Sequence, residues 1–216
     1  MSAAAIRALK VVVFGLCLLP LVILTLQTFG VGGLSLGANP IEELIHSLGK
    51  WGLKLLLITL AVTPLRKLTG WNWLLRLRRM LGLFAFFYVA LHFLVYAGLD
   101  QRFDLAAIFE DIAKRPYITV GMTALLLLIP LAVTSTNRMM RRLGKNWQKL
   151  HRLVYVIAIL GVWHFYWQVK LDTLEALVYA GILFALLGYR LVDGRRRKRR
   201  GAVGPRSNHD RLAHPR

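Results

Sequence analysis

Residues 147–167 read WQKLHRLVYVIAILGVWHFYW, and the rest of the chain is interpreted around this stretch. Its apolar run approaches the ~20 residues that a helix needs to cross a bilayer. It carries a histidine near each end, His151 and His164. Polar side chains inside a membrane usually mark a functional site, and neutral imidazole is a standard axial ligand of haem iron. We therefore predict that this helix forms one wall of a haem site.

The composition is that of a membrane protein with several spans. Of the 216 residues, 56% are hydrophobic, and the mean hydropathy is +0.53. The formal net charge is +19, but the basic residues flank apolar runs, which argues against a nucleic-acid partner. A single cysteine, Cys17, excludes an intrachain disulfide and a zinc or iron–sulfur site held by several cysteines.

Six apolar segments predict an all-α fold, a bundle of six transmembrane helices. Backbone groups in lipid have no water to bond to, so each span should be helical. The first span resembles a signal peptide, but no cleavage site follows it, and we expect it to be retained. We expect residues 193–216 to form a disordered, basic cytoplasmic tail. We expect residues 1–192 to form one haem-binding domain, with spans at about 11–29, 44–64, 80–99, 117–135, 150–168 and 174–192.

The distribution of Lys and Arg predicts the orientation. Of the 29 basic residues, 23 lie on the side of the N-terminus, in the loops 65–79 and 137–152 or in the tail from Arg190. Cytoplasmic loops of membrane proteins carry such an excess. We therefore expect a multi-pass protein of the bacterial inner membrane with both termini in the cytoplasm.

Depth in the membrane decides which histidines can meet. His92 lies 13 residues after Arg79, and His164 lies 15 residues after Lys149. At 1.5 Å per residue these positions are ~20 and ~22 Å from the cytoplasmic surface. Two imidazoles at similar depth on different helices can hold one haem iron from both faces. We predict His92 and His164 as its ligands.

His151 lies at the cytoplasmic face, ~20 Å from His164 along the helix, so it cannot share that iron. The matching position on the third helix, 13 residues before His92, is Arg79 rather than histidine. On a straight helix His151 would also point ~140° away from His164. Three interpretations stay open: a ligand of a second haem, a contact to a propionate or flavin, or an interfacial histidine bonded to a headgroup.

Basic side chains near both membrane faces are candidate cofactor-binding groups. On the predicted outer side, His46, Lys50 and Lys54 share one helix face. Either this face lies towards a haem propionate, a quinone or the outer partner, or its side chains extend to lipid headgroups. On the cytoplasmic side, four arginines either bind a flavin phosphate or a propionate, or anchor the topology in anionic lipid. They are Arg76, Arg78, Arg79 and Arg152.

Four segments carry a resemblance to a known family: NPIEELIHSLGKWGL (39–53), RRMLGLFAFFYVALHF (78–93), KRPYITVGM (114–122) and LAVTSTNRMMRRLGKNWQKLHRLVY (131–155). They closely resemble the MsrQ family, formerly called YedZ, in the ferric-reductase-like transmembrane superfamily. The resemblance covers about residues 6 to 192. It implies a six-helix cytochrome with haem b, one or two per chain, which also uses FMN. The family's haem histidines map onto His92, His151 and His164.

The resemblance further implies an electron-transfer role in protein repair. Electrons would come from a cytoplasmic flavin reductase or the quinone pool and pass to MsrP, a periplasmic molybdopterin enzyme that reduces oxidised methionine. Unlike the related NADPH oxidases, this chain has one histidine on helix three and no soluble nucleotide-binding domain.

We find no catalytic acid–base pair in the sequence. We therefore interpret the chain as an electron-transfer subunit of an oxidoreductase complex rather than its catalytic subunit. The alternatives are a self-contained ferric or quinone reductase of the same fold, and a small membrane transporter with intramembrane lysines as its substrate site.

Overall fold

The computed structural model describes residues 2–169 and 173–202, with side chains as far as Arg196. Over these residues the structure is helical and contains no strand. Six stretches are long and apolar enough to cross a membrane, and they confirm the predicted all-α bundle. They are Ala3–Thr28, Pro40–Thr69, Asn72–Asp100, Pro116–Val133, Lys145–Gln168 and Leu174–Arg196.

The described part of the chain contains nine α-helices and three shorter helical turns. The helices are α1 (Ala3–Thr28), α2 (Pro40–Thr69), α3 (Leu75–Val95), α4 (Leu105–Lys114), α5 (Pro116–Val133), α6 (Asn137–Leu143), α7 (Lys145–Leu150), α8 (Leu153–Gln168) and α9 (Leu174–Ala202). The turns are Val31–Gly33, Asn72–Leu74 and a single π-helical turn, Tyr96–Asp100, which continues α3.

Helix α2 is the most buried of the six spans. It packs most extensively against α3, while α5 packs most extensively against α8, and α9 lies against both α8 and α2. Almost fully buried side chains on these helices form the centre of the core, among them Leu48, Leu60, Tyr88 and Ile157. The bundle is therefore built around two helix pairs, α2–α3 and α5–α8.

The Tyr88 hydroxyl bonds to the backbone of α1 on either side of Pro20. Pro20 lies inside α1, where proline disrupts the backbone hydrogen-bond ladder. The Tyr88 hydroxyl donates to the Cys17 carbonyl oxygen at 2.7 Å and accepts from the Leu21 amide at 3.1 Å. It thus bridges the two groups that would pair directly in a regular helix, and it ties α1 to α3.

The span predicted over 150–168 lies within Lys145–Gln168, and its α-helix is interrupted at His151 and Arg152, between α7 and α8. One predicted boundary differs from the structure. The last helix does not end near residue 192 but continues to Ala202, so the first part of the predicted disordered tail is helical. The remainder of that tail, residues 203–216, lies outside the described residues.

Candidate haem site

The structure brings His92 of α3 and His164 of α8 together. Their ring centroids are 6.1 Å apart, and the ring planes are 78° to each other. A metal–imidazole bond is ~2 Å long. When two imidazoles bind one metal from opposite sides, their ring centres are therefore ~6 Å apart, because each ring adds the distance from its centre to its ligating nitrogen. The separation therefore matches one iron held between the two rings.

Both rings are fixed in the same tautomer. His92 Nδ1 lies 2.8 Å from the Ile45 carbonyl oxygen, and His164 Nδ1 lies 2.7 Å from the Tyr117 carbonyl oxygen. A carbonyl only accepts hydrogen bonds, so Nδ1 carries the proton and Nε2 keeps a lone pair. Neither Nε2 has a hydrogen-bond partner among the described residues. This is the arrangement of ligating histidines, whose other ring nitrogen usually donates to an acceptor.

The donor set fits haem better than a bare metal ion. In the part of the chain that the structure describes, no three His, Cys, Asp or Glu side chains come together as an ion site. Two imidazoles alone leave most of the coordination sphere of an ion unfilled. A haem supplies its own equatorial nitrogens and needs only axial ligands from the protein.

His151 lies apart from this pair, in the turn between α7 and α8. Its Nδ1 lies 3.1 Å from the Trp147 carbonyl oxygen, and its ring stacks on Trp147 at 3.9 Å. Its Nε2 is buried, forms no hydrogen bond of ordinary distance and angle, and lies near the Leu131 backbone. The Trp147 indole in turn donates to the Thr134 carbonyl at 3.0 Å and so fixes the turn against the end of α5. Around His151 the backbone bonds to residues three rather than four positions earlier, as Arg152 does to Lys149 and Tyr155 to Arg152, so an ideal α-helical rotation is only approximate here.

The four predicted cytoplasmic arginines occupy different environments. Arg78 is half-buried and close enough to His151 for electrostatic interaction. Three others are exposed: Arg76, Arg79 and Arg152. Of these, Arg79 donates to the Asn137 side-chain oxygen. Only Arg78 therefore joins His151 in the interior.

Arg190 is a further interior arginine, which the sequence analysis placed in the basic tail. Its guanidinium donates to the Tyr155 hydroxyl and to the Leu60 carbonyl, both at 2.7 Å, and lies 5.0 Å from the Tyr155 ring centre. Its Nε is buried without a partner, and its charge interacts with that of Arg78. The sequence signal was Pro64, which cannot donate to the Leu60 carbonyl and so leaves an acceptor free.

On the side of the bundle predicted to be periplasmic, the basic side chains His46, Lys50 and Lys54 of α2 all have partners. The Gln168 amide donates to His46 Nε2 at 2.5 Å, so that nitrogen is occupied, unlike Nε2 of the facing pair. Lys50 forms an ion pair with Glu175 at 2.6 Å, and Lys54 lies 4.9 Å from the centre of the Trp51 ring. His46 and Lys50 also line an open polar cleft of about 390 Å³ at the start of α2. Gln168 lies at the end of α8 and Glu175 in the first turn of α9. The sequence pattern alone does not indicate that they are the partners of His46 and Lys50.

Comparison with known proteins agrees with this architecture. Residues 48–162 match the family described as ferric reductase like transmembrane component. A protein of Rhodospirillum rubrum, named "Protein-methionine-sulfoxide reductase heme-binding subunit MsrQ", is 60% identical over 193 residues, which cover 89% of this chain and 91% of that protein. The chain belongs to the MsrQ family.

Other MsrQ proteins are almost as similar. Those of Xanthomonas campestris pv. campestris and Ralstonia nicotianae are 52% and 50% identical, and the matches cover 88% and 92% of each chain. No solved structure matches this chain. Membership of the MsrQ family and the six apolar helices identify a multi-pass membrane protein.

Proposed function

We propose that this protein is a b-type cytochrome that carries electrons across the bacterial inner membrane to a periplasmic methionine sulfoxide reductase. The observation that carries the proposal is the facing pair, His92 and His164, with both Nε2 atoms unpartnered and both Nδ1–H groups donating to carbonyls. The names of the relatives, which describe them as heme-binding subunits of a protein-methionine-sulfoxide reductase, support it.

In this proposal His92 and His164 would together hold one haem b. The haem supplies reversible one-electron oxidation and reduction, and the protein supplies its position and surroundings. The two carbonyl contacts orient the imidazoles and raise the basicity of Nε2. The chain itself then positions the haem and carries electrons across the membrane, while its partner reduces methionine sulfoxide.

A second carrier near His151, a haem or an FMN, extends this proposal. In this proposal the buried Nε2 of His151, which lies near the Leu131 backbone, serves as a ligand or hydrogen-bond acceptor. The Arg78 guanidinium interacts with His151, and Arg190 interacts with Arg78. Neither arginine forms an ion pair with a carboxylate among the described side chains. Arginine is well suited to propionate or phosphate groups, which both cofactors carry. The exposed Arg76, Arg79 and Arg152 are available to a cytoplasmic donor or to anionic headgroups.

Electron flow in the proposal runs from the cytoplasm outwards. The donor is a cytoplasmic flavin reductase or the quinone pool, and the acceptor is the molybdopterin subunit MsrP. The His92–His164 pair lies near His46, whose side chain lines the outer cleft. An outer haem beside an outward-facing cleft suits transfer to a periplasmic acceptor.

The transporter alternative finds less support. It requires intramembrane lysines free to bind a substrate, but Lys50 is paired with Glu175 and Lys54 lies over Trp51. A self-contained ferric or quinone reductase of the same fold stays open.

Spectroscopy of the purified full-length chain tests the proposal. Reduced-minus-oxidised spectra should show a b-type cytochrome, and reconstitution with MsrP should reoxidise the reduced haem when methionine sulfoxide is present. Absence of haem from folded protein would contradict the proposal. Reoxidation by ferric complexes or quinone, but not by MsrP, would favour a self-contained reductase.

A further inference from the structure

The two facing histidines are held by the same arrangement of backbone groups. In each case the Nδ1–H donates to a carbonyl 47 residues earlier in the chain, Ile45 for His92 and Tyr117 for His164. In each case a glycine follows that carbonyl by four residues, Gly49 in α2 and Gly121 in α5. One turn of helix separates residues four apart, so each glycine lies beside its carbonyl on the same face.

Both glycines are contacted by the imidazole ring itself. A Cβ atom on Gly49 would lie 3.1 Å from Nδ1 and 3.2 Å from Cε1 of His92. A Cβ atom on Gly121 would lie 2.8 Å from the same two atoms of His164. Glycine is a poor helix former, so two glycines inside helices need a structural reason. The close approach of each ring to the backbone provides that reason.

The same arrangement occurs in each of the two main helix pairs of the bundle. Helices α2 and α3 form one extensively packed pair, and α5 and α8 form the other. Each pair supplies one imidazole, one carbonyl and one glycine to the same place. We call each set, Ile45–Gly49 with His92 and Tyr117–Gly121 with His164, a cradle.

We propose that Gly49 and Gly121 are positioning residues that set the reduction potential and spectrum of the haem through these two cradles. The inference rests on the proposed ligation of haem by His92 and His164. Each glycine lets a ring sit close enough to the helix for its Nδ1–H to reach the carbonyl. That hydrogen bond raises the basicity of Nε2 and fixes the ring's rotation about the bond to iron. Second-sphere hydrogen bonds and ligand orientation are among the features by which a protein sets a haem potential.

The two cradles should respond unequally to an added methyl group. At Gly49 the contacts of 3.1 and 3.2 Å are tight, and a small shift of His92 relieves them. At Gly121 both contacts are 2.8 Å, so the His164 ring must move away from α5. Such a movement lengthens the hydrogen bond to Tyr117. We therefore expect a larger effect from Gly121→Ala than from Gly49→Ala.

Two other glycines provide matched controls. A Cβ atom on Gly52 would lie 2.7 Å from the Val89 side chain, so Gly52→Ala disturbs the same α2–α3 interface without touching a histidine. A Cβ atom on Gly161 would lie 3.5 Å from Leu53, an ordinary contact, so Gly161→Ala tests a substitution in α8 itself.

The experiment uses haem-loaded, full-length protein with the four single variants Gly49→Ala, Gly121→Ala, Gly52→Ala and Gly161→Ala. Redox titration gives the midpoint potential, and electron paramagnetic resonance of the ferric haem reports the ligand orientation. A longer hydrogen bond makes Nε2 a weaker donor to ferric iron. The midpoint potential should therefore become more positive in both cradle variants, and the shift should be larger in Gly121→Ala than in Gly49→Ala. The resonance positions should change in the same order, and both controls should keep the wild-type values.

Loss of haem from folded Gly121→Ala, with haem retained in Gly52→Ala, would also support the cradle. Unchanged potentials and resonance positions in both cradle variants would overturn it, and so would equal changes in Gly52→Ala. The outcome is separable from that of the proposed function. If His92→Ala and His164→Ala keep the wild-type haem, the ligation itself is wrong. If they lose it while the cradle variants keep wild-type properties, only this inference fails.

Discussion

Arg190 of α9 donates a hydrogen bond to the Leu60 carbonyl of α2 at 2.7 Å, four residues before Pro64. In a regular helix the amide of residue 64 would satisfy that carbonyl, but proline has no N–H. The guanidinium therefore supplies the donor that the helix lacks. It also donates to the Tyr155 hydroxyl of α8 and so joins three helices, α2, α8 and α9.

Arg190→Met should destabilise the folded protein. It leaves the Leu60 carbonyl unsatisfied, which costs about 1–3 kcal/mol for a buried polar group. Thermal unfolding in detergent measures the change, with Arg195→Met, an exposed residue of the same helix, as control. In a Pro64→Ala background, residue 64 regains its amide, so removal of Arg190 should cost less. Equal costs in both backgrounds would contradict the proposed link.

His92→Ala and His164→Ala should each abolish the same haem, because their rings face each other at 6.1 Å. Absorbance spectra and haem quantification on purified variants measure the loss. His46→Ala is the control, since its Nε2 is occupied by Gln168, and it should retain the haem. A low-spin bis-imidazole spectrum that survives in either ligand variant would show that the pairing is wrong.

His151→Ala should leave the spectrum of the haem between His92 and His164 intact while slowing its reduction by a cytoplasmic flavin donor. His151 lies ~20 Å from that haem by helix rise, a gap that suits an intermediate carrier. Stopped-flow reduction measures the rate, and Lys149→Ala, an exposed neighbour, is the control. An unchanged rate would make His151 an interfacial anchor. Loss of the outer haem at normal protein level would mean that the depth assignment is wrong.

Tyr88→Phe should weaken the attachment of α1. The hydroxyl bridges the Cys17 carbonyl and the Leu21 amide beside Pro20, and its removal leaves both groups without that partner. We expect a loss of about 1–3 kcal/mol in the free energy of unfolding. Tyr166→Phe, at an exposed position of α8, should be close to neutral. Equal stability of the two variants would show that the bridge contributes little.

Reporter fusions test the orientation, for which the distribution of basic residues predicts cytoplasmic termini. Fusions at Gly37 and Asp104 should report the periplasm, and fusions at Gly70 and the C-terminus should report the cytoplasm. A periplasmic C-terminus would reverse the direction of electron flow in the proposal.

The amino-acid sequence by itself determined the number and type of the spans. Backbone groups in lipid must bond within their own segment, so six long apolar runs can only be helices. The constant rise of a helix also converts residue number into depth, and it placed His92 and His164 at one level. The structure agrees with both results, since it contains six suitable helices and a ring separation of 6.1 Å.

Which face of each helix packs against its neighbours can be seen only in the tertiary structure. Helices in a membrane are apolar towards both lipid and core, so periodicity barely indicates how each helix is rotated. The cradles of Gly49 and Gly121, the bond from Arg190 to Leu60 and the pairing of His46 with Gln168 all depend on that rotation. The turn at His151 likewise follows from packing, because the Trp147 indole bonds to the end of α5. These contacts join residues that are separated in the chain. A local signal such as Pro64 shows that the Leu60 carbonyl lacks its usual donor, but it does not identify Arg190 as the partner.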